Sequence, residues 1–315
     1  MSFALSNLPD GLETQPISQA KPPISPALVL TVGVLAVSVS AVLIRLAQRE
    51  ASSLVIAAAR LVVASLVLLP LCLKTRRHEL RQIRARDWWL ALLSGVVLAA
   101  HFATWISSLE YTTIASSTVL ASTAPLWVAL VSPLLLQESL SRSLKVGLLL
   151  ALAGSAVIAI ANAESGIVGG SQPLLGNGLA LLGAGTVAVY ILIGRRLRQQ
   201  HSLLVYTTIV YGMAAICMLL VVAVRGLSFA GFGWETYLLL VLIGVVPQLI
   251  GHQSFNWALA HLPATFISVT MISEPIGAGI LAWLIFGESP GDGTIPGGLL
   301  IIAGIWLGSR KRKEK

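Results

Sequence analysis

Charged residues are scarce in this chain: they make up 11% of its 315 residues, while hydrophobic residues make up 56%. A typical soluble domain has about 25% charged residues, and so few charges could not cover so large an apolar core in water. This excludes a soluble globular fold. The apolar residues form blocks of about 20, roughly the length that a helix needs to cross the hydrocarbon core. A membrane barrel would show alternating segments of about ten residues instead, so we predict an all-α polytopic membrane protein.

Cysteines and catalytic motifs are also scarce. The two cysteines, Cys72 and Cys217, lie inside apolar runs, where they are typical small core residues and predict no disulfide or redox role. The sequence has no GxSxG elbow, no HExxH metal motif and no phosphate-binding GxxxxGK(S/T), and its five histidines are scattered. We therefore expect no enzyme, no catalytic residue, no metal, no cofactor and no direct use of ATP.

The apolar blocks predict ten membrane spans. We expect them at residues 27–47, 53–73, 88–109, 113–136, 143–162, 174–194, 202–224, 236–258, 264–286 and 295–309. Residues 1–26 are polar and rich in proline, and they lack the basic start and short apolar core of a signal peptide. We expect a disordered cytoplasmic tail there and a basic cytoplasmic tail at 310–315. The segments between the spans are short, which argues against a membrane sensor or interaction protein with a soluble domain.

Basic residues lie on alternate loops. The loop after the second span, KTRRHELRQIRAR, holds six of them, and placing it inside the cell puts 17 of the 21 basic residues inside. Basic residues accumulate in cytoplasmic loops, so the net charge of +8 indicates topology rather than binding of nucleic acid. We expect a multi-pass protein of the cell inner membrane whose N- and C-termini are cytoplasmic.

Two pairs of stretches repeat at an offset of 150 residues. TAPLWVALVSPLLLQES (123–139) matches SEPIGAGILAWLIFGES (273–289), and GLLLALAG (147–154) matches GGLLIIAG (297–304). The repetition indicates an internal duplication that extends over most of the chain.

The duplication divides the ten predicted spans into two five-helix repeats, residues 27–162 and 174–309. Because five is odd, the second copy enters the membrane from the opposite side. Inverted repeats of this kind are the architecture of many secondary transporters, in which the two halves give alternating access to one central site.

Longer motifs accompany the repeat. The first half contains AAARLVVASL, with Arg60 in mid-span, and SLEYTTIASSTVLASTAPLWVALVSPLLLQESLSRSLKVGLLLALAGSAVIAI, and the second half contains FNWALAHLPATFISVTMISEPIGAGILAWLIFGES. With these motifs the chain resembles the drug/metabolite transporter superfamily, specifically its EamA-type ten-span members, over about residues 28–309. The resemblance implies transport of amino acids, other metabolites or drugs, commonly as export. The halves differ before their shared proline, where the first has Ala124 and the second has Glu274.

Glu274 is the first candidate for a transport site because it lies near the middle of the ninth span. A charged carboxylate is unfavourable in lipid, so ionisable residues there tend to mark transport pathways. Pro275 follows it and removes an amide hydrogen, which can bend the helix. Glu274 therefore suits proton coupling or binding of a substrate ammonium group, and a protonated or Arg-paired structural residue is the alternative.

Arg60 is the other charge well inside a span. It could bind an anionic substrate group, pair with Glu274 or bind loop carbonyls. The resembling family commonly has an arginine here regardless of substrate, which favours a structural role.

Two polar helix faces predict the wall of a cavity. Gln248, His252 and Asn256 are spaced four apart in the eighth span, and His101 and Trp105 are spaced four apart in the third, so each set shares a face at 3.6 residues per turn. An aromatic wall with few polar groups suits an amphipathic organic solute. Amides between membrane helices also serve packing, and core packing is an equal alternative for Trp105. Weaker candidates for the same cavity are Tyr190, Gln253 and Thr270.

Repeated glycines and glutamates have a structural interpretation. Gly147 and Gly154 recur as Gly297 and Gly304, seven residues apart on one face, where small residues let helices approach closely. We expect them to pack helices or two copies of the chain, which is compatible with a homodimer. Repeated Glu138 and Glu288 are expected at the water interface.

Taken with the resemblance, these features predict a secondary active transporter. It would export small organic solutes by alternating access around a midplane cavity, with proton coupling as one option. The alternatives are an uncoupled facilitative carrier or exchanger, a channel, and a membrane-embedded sensor or interaction protein.

Overall fold

The computed structural model of the chain describes residues 22–112, 114–135, 141–164, 172–286 and 294–309. Within these ranges every regular element is a helix. The elements are α1 (Pro26–Ser38), α2 (Ser40–Ala47), α3 (Ser53–Thr75), α4 (Arg77–Arg81), α5 (Ala85–Tyr111), α6 (Ile114–Ala121), α7 (Ala124–Leu135), α8 (Arg142–Glu164), α9 (Pro173–Arg198), α10 (Leu203–Val224), α11 (Trp234–Ile243), a π-helical segment (Gly244–His252), α12 (Gln253–Ala258), α13 (Ala264–Met271), α14 (Glu274–Phe286) and α15 (Thr294–Ser309).

Seven helical segments in the described ranges are long and apolar enough to cross a membrane. They are Pro26–Ala47, Ser53–Thr75, Ala85–Tyr111, Leu174–Arg198, Leu203–Val224, Trp234–Ala258 and Ala264–Phe286. Two shorter apolar helices lie at Ser117–Pro133 and Ile295–Gly304. The prediction of an all-helical polytopic membrane protein is confirmed.

The seven segments coincide with seven of the ten predicted spans. The other three predicted spans fall on α6–α7, on α8 and on α15, so the count of ten and the inversion of the halves stay predictions. Residues 1–21 and 310–315 of the predicted tails, together with Glu138 and Glu288, lie outside the described residues.

Two helical segments are interrupted at matching positions of the repeat. The α6–α7 segment is interrupted at residues 122–123 and the α13–α14 segment at residues 272–273, an offset of 150. Pro125 and Pro275 are the second residues of α7 and α14, where a proline fits because the first-turn amides have no intrahelical acceptor. The predicted bend before Pro275 is therefore a break between two helices.

The π-helical segment lies close to α1 and α3. A Cβ atom added to Gly244 would lie 2.6 Å from Cβ of Val63, and one added to Gly251 would lie 2.6 Å from Cγ1 of Val37. Glycine is therefore required at both positions for this close approach. A π-helix winds through i→i+5 hydrogen bonds, is rare, and frequently occurs at functional sites.

Helices α8 and α15 pack on each other through the repeated glycines. A Cβ atom added to Gly304 would lie 2.5 Å from the carbonyl oxygen of Gly147, and one added to Gly154 would overlap the carbonyl oxygen of Gly297. The contact is reciprocal: Gly304 of α15 faces Gly147 of α8, and Gly154 of α8 faces Gly297 of α15. These residues pack two helices of one chain, as one of the two sequence interpretations proposed.

Candidate functional site

A cavity lies where the two helix breaks meet. Its wall includes Ser122, Ala124 and Pro125 from the first break and Ile272 and Glu274 from the second. The cavity volume is about 40 Å³, which is room for about three water molecules at roughly 10–15 Å³ each. Any organic solute would need a wider cavity than this conformation has.

The cavity wall follows the sequence repeat. Ten of its lining residues form five pairs that are 150 residues apart: Val37 with Val187, Thr118 with Ser268, Ala121 with Met271, Ser122 with Ile272, and Ala124 with Glu274. The cavity therefore lies where equivalent parts of the two halves meet. Of these ten residues, the sequence pointed to Glu274 and to its counterpart Ala124 but not to the other eight, because the offset of 150 relates positions throughout both halves.

Glu274 begins α14 and lines the cavity. Its side chain is half-buried, and no hydrogen bond joins its carboxylate to any described residue. Arg60 acts on it electrostatically, but no pair of nitrogen and oxygen atoms from these two described residues comes within the 4.0 Å of an ion pair. The carboxylate is thus available to a ligand or to water in the cavity.

Arg60 is fully buried behind the cavity wall rather than in it. Its Nε donates to Oε1 of Gln248 at 3.0 Å, and its guanidinium carbon lies 4.0 Å from the ring centroid of Phe102, in a cation–π arrangement. Nη1 and Nη2 have no hydrogen-bond partner among the described residues. The guanidinium therefore joins α3 to the π-helical segment and to α5.

His101 and Trp105 form an aromatic wall of the cavity. Their rings are parallel within 2°, with centroids 6.0 Å apart. Nδ1 of His101 lies 2.9 Å from the carbonyl oxygen of Gly183, and because a carbonyl only accepts, Nδ1 carries the hydrogen. The indole Nε1 of Trp105 is buried and has no partner within the described part of the chain.

The predicted stripe of Gln248, His252 and Asn256 is divided among three environments. Gln248 binds Arg60. His252 lines the cavity, with its ring edge-on to that of Phe102. Asn256 lies away from the cavity wall, where its amide joins two tyrosines.

The Asn256 amide accepts from the hydroxyl of Tyr190 at 2.7 Å and donates to the hydroxyl of Tyr211 at 3.0 Å. The weaker candidates also make protein contacts: Gln253 donates to Oγ1 of Thr207 at 3.1 Å, and Thr270 donates to the carbonyl oxygen of Phe266 at 3.0 Å. None of these three candidates lines the cavity.

Hydrogen bonds join the two halves at both ends of the helices. At one end, Oε2 of Glu50 accepts from the amide of Gly233 at 2.8 Å and from the hydroxyl of Thr236 at 2.7 Å. These donors favour the charged carboxylate, so they hold the pKa of Glu50 below its usual range. At the other end, Nε2 of His201 lies 3.1 Å from Oδ2 of Asp87. Polar contacts therefore join the two halves of the chain at both ends of the cavity region.

Residues 24–160 and 174–310 each match the EamA-like transporter family. The chain belongs to this family. The second match begins and ends 150 residues after the first, which is the offset found in the sequence, and the resemblance to EamA-type transporters is confirmed.

Similar proteins include several named transporters. An uncharacterized transporter of Clostridium kluyveri is 24% identical over 80% of this chain and 82% of its own length. The pseudopaline exporter CntI of Pseudomonas aeruginosa is 26% identical over 71% of this chain and 76% of its own. A protein of Streptantibioticus cattleyicolor named "Probable terminal-alkyne amino-acid exporter" is 25% identical over 73% and 76%.

A solved crystal structure shares the fold. It superposes with a TM-score of 0.73 at 19% identity and spans 90% of this chain and 96% of its own. The fold seen here is thus also known from an experimental structure.

Proposed function

We propose that this EamA-family protein is a secondary active transporter that exports small organic solutes, such as amino acids, other metabolites or drugs. The observation that carries the proposal is the cavity, whose wall includes five residue pairs at the repeat offset. Equivalent halves that meet at one site can exchange conformations and expose it to either side in turn. The similarity to proteins named as exporters supports the direction.

Ten spans in two inverted five-helix repeats are the topology we propose. Its support includes contacts at the helix ends: the amide of Gln172 lies 3.4 Å from the carbonyl oxygen of Tyr111, and Oγ1 of Thr112 donates to Oδ1 of Asn177 at 3.0 Å. These contacts place the end of α5 and the start of α9 on the same side of the membrane. The chain between them must therefore cross the membrane an even number of times. The segments α6–α7 and α8 supply these two crossings.

The observed conformation corresponds to a closed state of the proposed cycle. A cavity of about 40 Å³ is too small for an amino acid, and both ends are joined by hydrogen bonds between the halves. Transport would then require the contacts at one end to break while those at the other remain. By the positive-inside rule, we place the Asp87–His201 end in the cytoplasm and the Glu50 end outside the inner membrane.

Glu274 is the residue that we assign to proton coupling or to binding of a substrate ammonium group. It is the acidic residue that lines the cavity, and no hydrogen bond to the described protein holds its carboxylate. An acid at this place can exchange a proton with the cavity when the solute leaves. Arg60, behind the wall, would serve as a fixed counter-charge.

The test is flux in sealed proteoliposomes under an imposed pH gradient, with a panel of amino acids and amphipathic cations. Glu274→Gln should abolish gradient-driven flux, because the amide side chain of glutamine can neither take up and release a proton nor carry the negative charge of the carboxylate. Glu235→Gln is the matched control, since Glu235 is exposed in the first turn of α11 and away from the cavity.

Each alternative function gives a distinct result in this assay. Equal gradient-driven flux in the wild type and in Glu274→Gln would assign Glu274 a structural role. Flux that needs no gradient would instead support the facilitative carrier or exchanger. If no panel member moved in any vesicle, export of these solute classes would be refuted.

A further inference from the structure

Exposed basic residues are concentrated in the short connection between α3 and α5. Six of them lie in residues 74–86, and all six are exposed: Lys74, Arg76, Arg77, Arg81, Arg84 and Arg86. The same residues, here named the basic connection, include one acidic residue, Glu79, so the net charge is +5 with His78 neutral. A concentration of positive charge of this kind favours a partner with negative charge.

The protein itself neutralises little of this charge. The carboxylate of Glu79 accepts from the backbone amide of Ser202 at 2.7 Å, and the carboxylate of Asp87, which follows the connection, lies 3.1 Å from Nε2 of His201. Arg76 and Glu79 form an ion pair of 3.9 Å that is partly exposed and therefore weak. The other five basic side chains have no hydrogen bond or ion pair with any described residue.

Apolar residues that face lipid flank the basic connection on both helices. Leu71 and Leu73 near the end of α3 are 47% and 46% exposed, and Trp89 near the start of α5 is 72% exposed. Tryptophan concentrates at the level of the lipid headgroups. Lys74 follows Leu73 directly and Arg86 precedes Trp89 by three residues, at a rise of about 1.5 Å per helical residue. The basic connection therefore begins and ends at headgroup level.

Helix α4 holds two of the cations on one face. Arg77 and Arg81 are four residues apart in α4, and residues at this spacing are neighbours on a helix surface, with Cβ atoms about 5–6 Å apart. The hydrogen bond between Glu79 and the amide of Ser202 fixes α4 against the start of α10. Two guanidinium groups on a fixed helix can bind one phosphate group, for which the planar fork of arginine is well suited.

We propose that the basic connection binds the headgroup of an anionic phospholipid, with the phosphate at Arg77 and Arg81. The remaining unpaired cations add attraction for net negative charge: Lys74, Arg84 and Arg86. A zwitterionic phospholipid has the same phosphate but no net charge, so it binds more weakly. Clusters of basic residues directly beyond the end of a membrane-spanning helix attract anionic lipids in this way. The orientation proposed above assigns the lipid to the cytoplasmic leaflet.

The test compares two phospholipids that differ in net charge. The purified full-length chain in detergent is titrated with dioctanoyl phosphatidylglycerol, which is anionic, or with dioctanoyl phosphatidylcholine, which is zwitterionic, and bound lipid is counted by native mass spectrometry. We expect phosphatidylglycerol to bind at least about tenfold more tightly, because several basic residues each add to the attraction. A third titration with sn-glycerol 3-phosphate offers the phosphate without acyl chains, and we expect no displacement of phosphatidylglycerol.

A matched pair of variants separates the basic connection from net charge. Arg77→Gln/Arg81→Gln is compared with Arg49→Gln/Arg225→Gln, which removes two exposed arginines before α3 and after α10, at the opposite ends of these helices. The side chains of Arg49 and Arg225 have no partner among the described residues. We expect phosphatidylglycerol to bind the first variant at least about tenfold more weakly and the control within about twofold of the wild type.

Melting temperatures without lipid show whether both variants are folded, and Arg84→Gln/Arg86→Gln repeats the comparison if the first variant is not. Equal binding of the two phospholipids by the wild type, or equal weakening in the variant and its control, would overturn the site. Displacement of phosphatidylglycerol by an equal concentration of sn-glycerol 3-phosphate would assign the cations to a soluble phosphate compound instead of a lipid. Binding is measured without flux, so each outcome is independent of the proposed export.

Discussion

At the scale of single residues, Arg60 is the buried charge that the fold must stabilise. Among the described residues, its guanidinium has one acceptor, Oε1 of Gln248, and one aromatic face, Phe102. A buried charge without a partner is strongly unfavourable. Gln248 therefore has a stabilising role that its position in a polar stripe did not reveal.

We predict that Gln248→Leu lowers the free energy of unfolding by about 1.5–3 kcal/mol, because a hydrogen bond to a charged group is lost and the charge stays buried. Gln253→Leu is the matched control, since Gln253 donates to the neutral hydroxyl of Thr207, and a loss of only about 0.5–1.5 kcal/mol is expected there. Thermal unfolding in detergent measures both. Equal losses in the two variants would mean that the Arg60 charge is not held by Gln248.

At the scale of helices, the packing of α8 on α15 depends on the absence of side chains. A Cβ atom on Gly154 would overlap backbone of the partner helix, namely the carbonyl oxygen of Gly297, and backbone cannot rotate away as a side chain can. Elsewhere glycines have open space around them: a Cβ atom on Gly279 of α14 would meet nothing within 4 Å. Glycine is therefore needed for helix packing at position 154 of α8 but not at position 279 of α14.

We predict that Gly154→Ala destabilises the protein by about 1–3 kcal/mol, the usual range for overpacking. Gly279→Ala should cause no loss, because the added methyl group has room. The melting temperatures of the two purified variants provide the comparison. An unchanged melting temperature for Gly154→Ala would show that α8 and α15 separate without penalty, contrary to the close contact described here.

At the scale of the whole molecule, the proposed inversion of the halves fixes the side of every loop. Gln172 before α9, Gln200 after it and Ser228 after α10 are all exposed. Ten spans with cytoplasmic termini place Gln172 and Ser228 outside and Gln200 inside.

We predict that a cysteine at position 172 or 228 reacts with a membrane-impermeant maleimide in intact cells. A cysteine at position 200 should react only after the cells are opened. The native Cys72 and Cys217 are replaced by alanine in each variant to remove background labelling. If Gln172→Cys and Gln200→Cys were labelled from the same side, α9 would not span the membrane and the inverted topology would be wrong.

Much of the fold could be predicted because membrane insertion acts on each segment by itself. A block of about 20 apolar residues favours a spanning helix whatever surrounds it, and seven of the predicted spans coincide with helices of the structure. The duplication was also visible, since it requires only a comparison of the chain with itself. Pro275 predicted a bend near Glu274, but a full break in both halves was not predicted, because interruption of the helix depends on packing of both halves.

The sequence by itself thus determined the helical membrane class, the repeat offset of 150 residues and the family, and all three depend on local hydrophobicity or on residue identity. Only the tertiary structure decided which polar residues reach the cavity. Gln248 and His252 both lie in the π-helical segment, yet Gln248 binds Arg60 and His252 lines the cavity. Ser40, which no motif marks, lines the cavity together with Ala124 because helices far apart in the chain converge there.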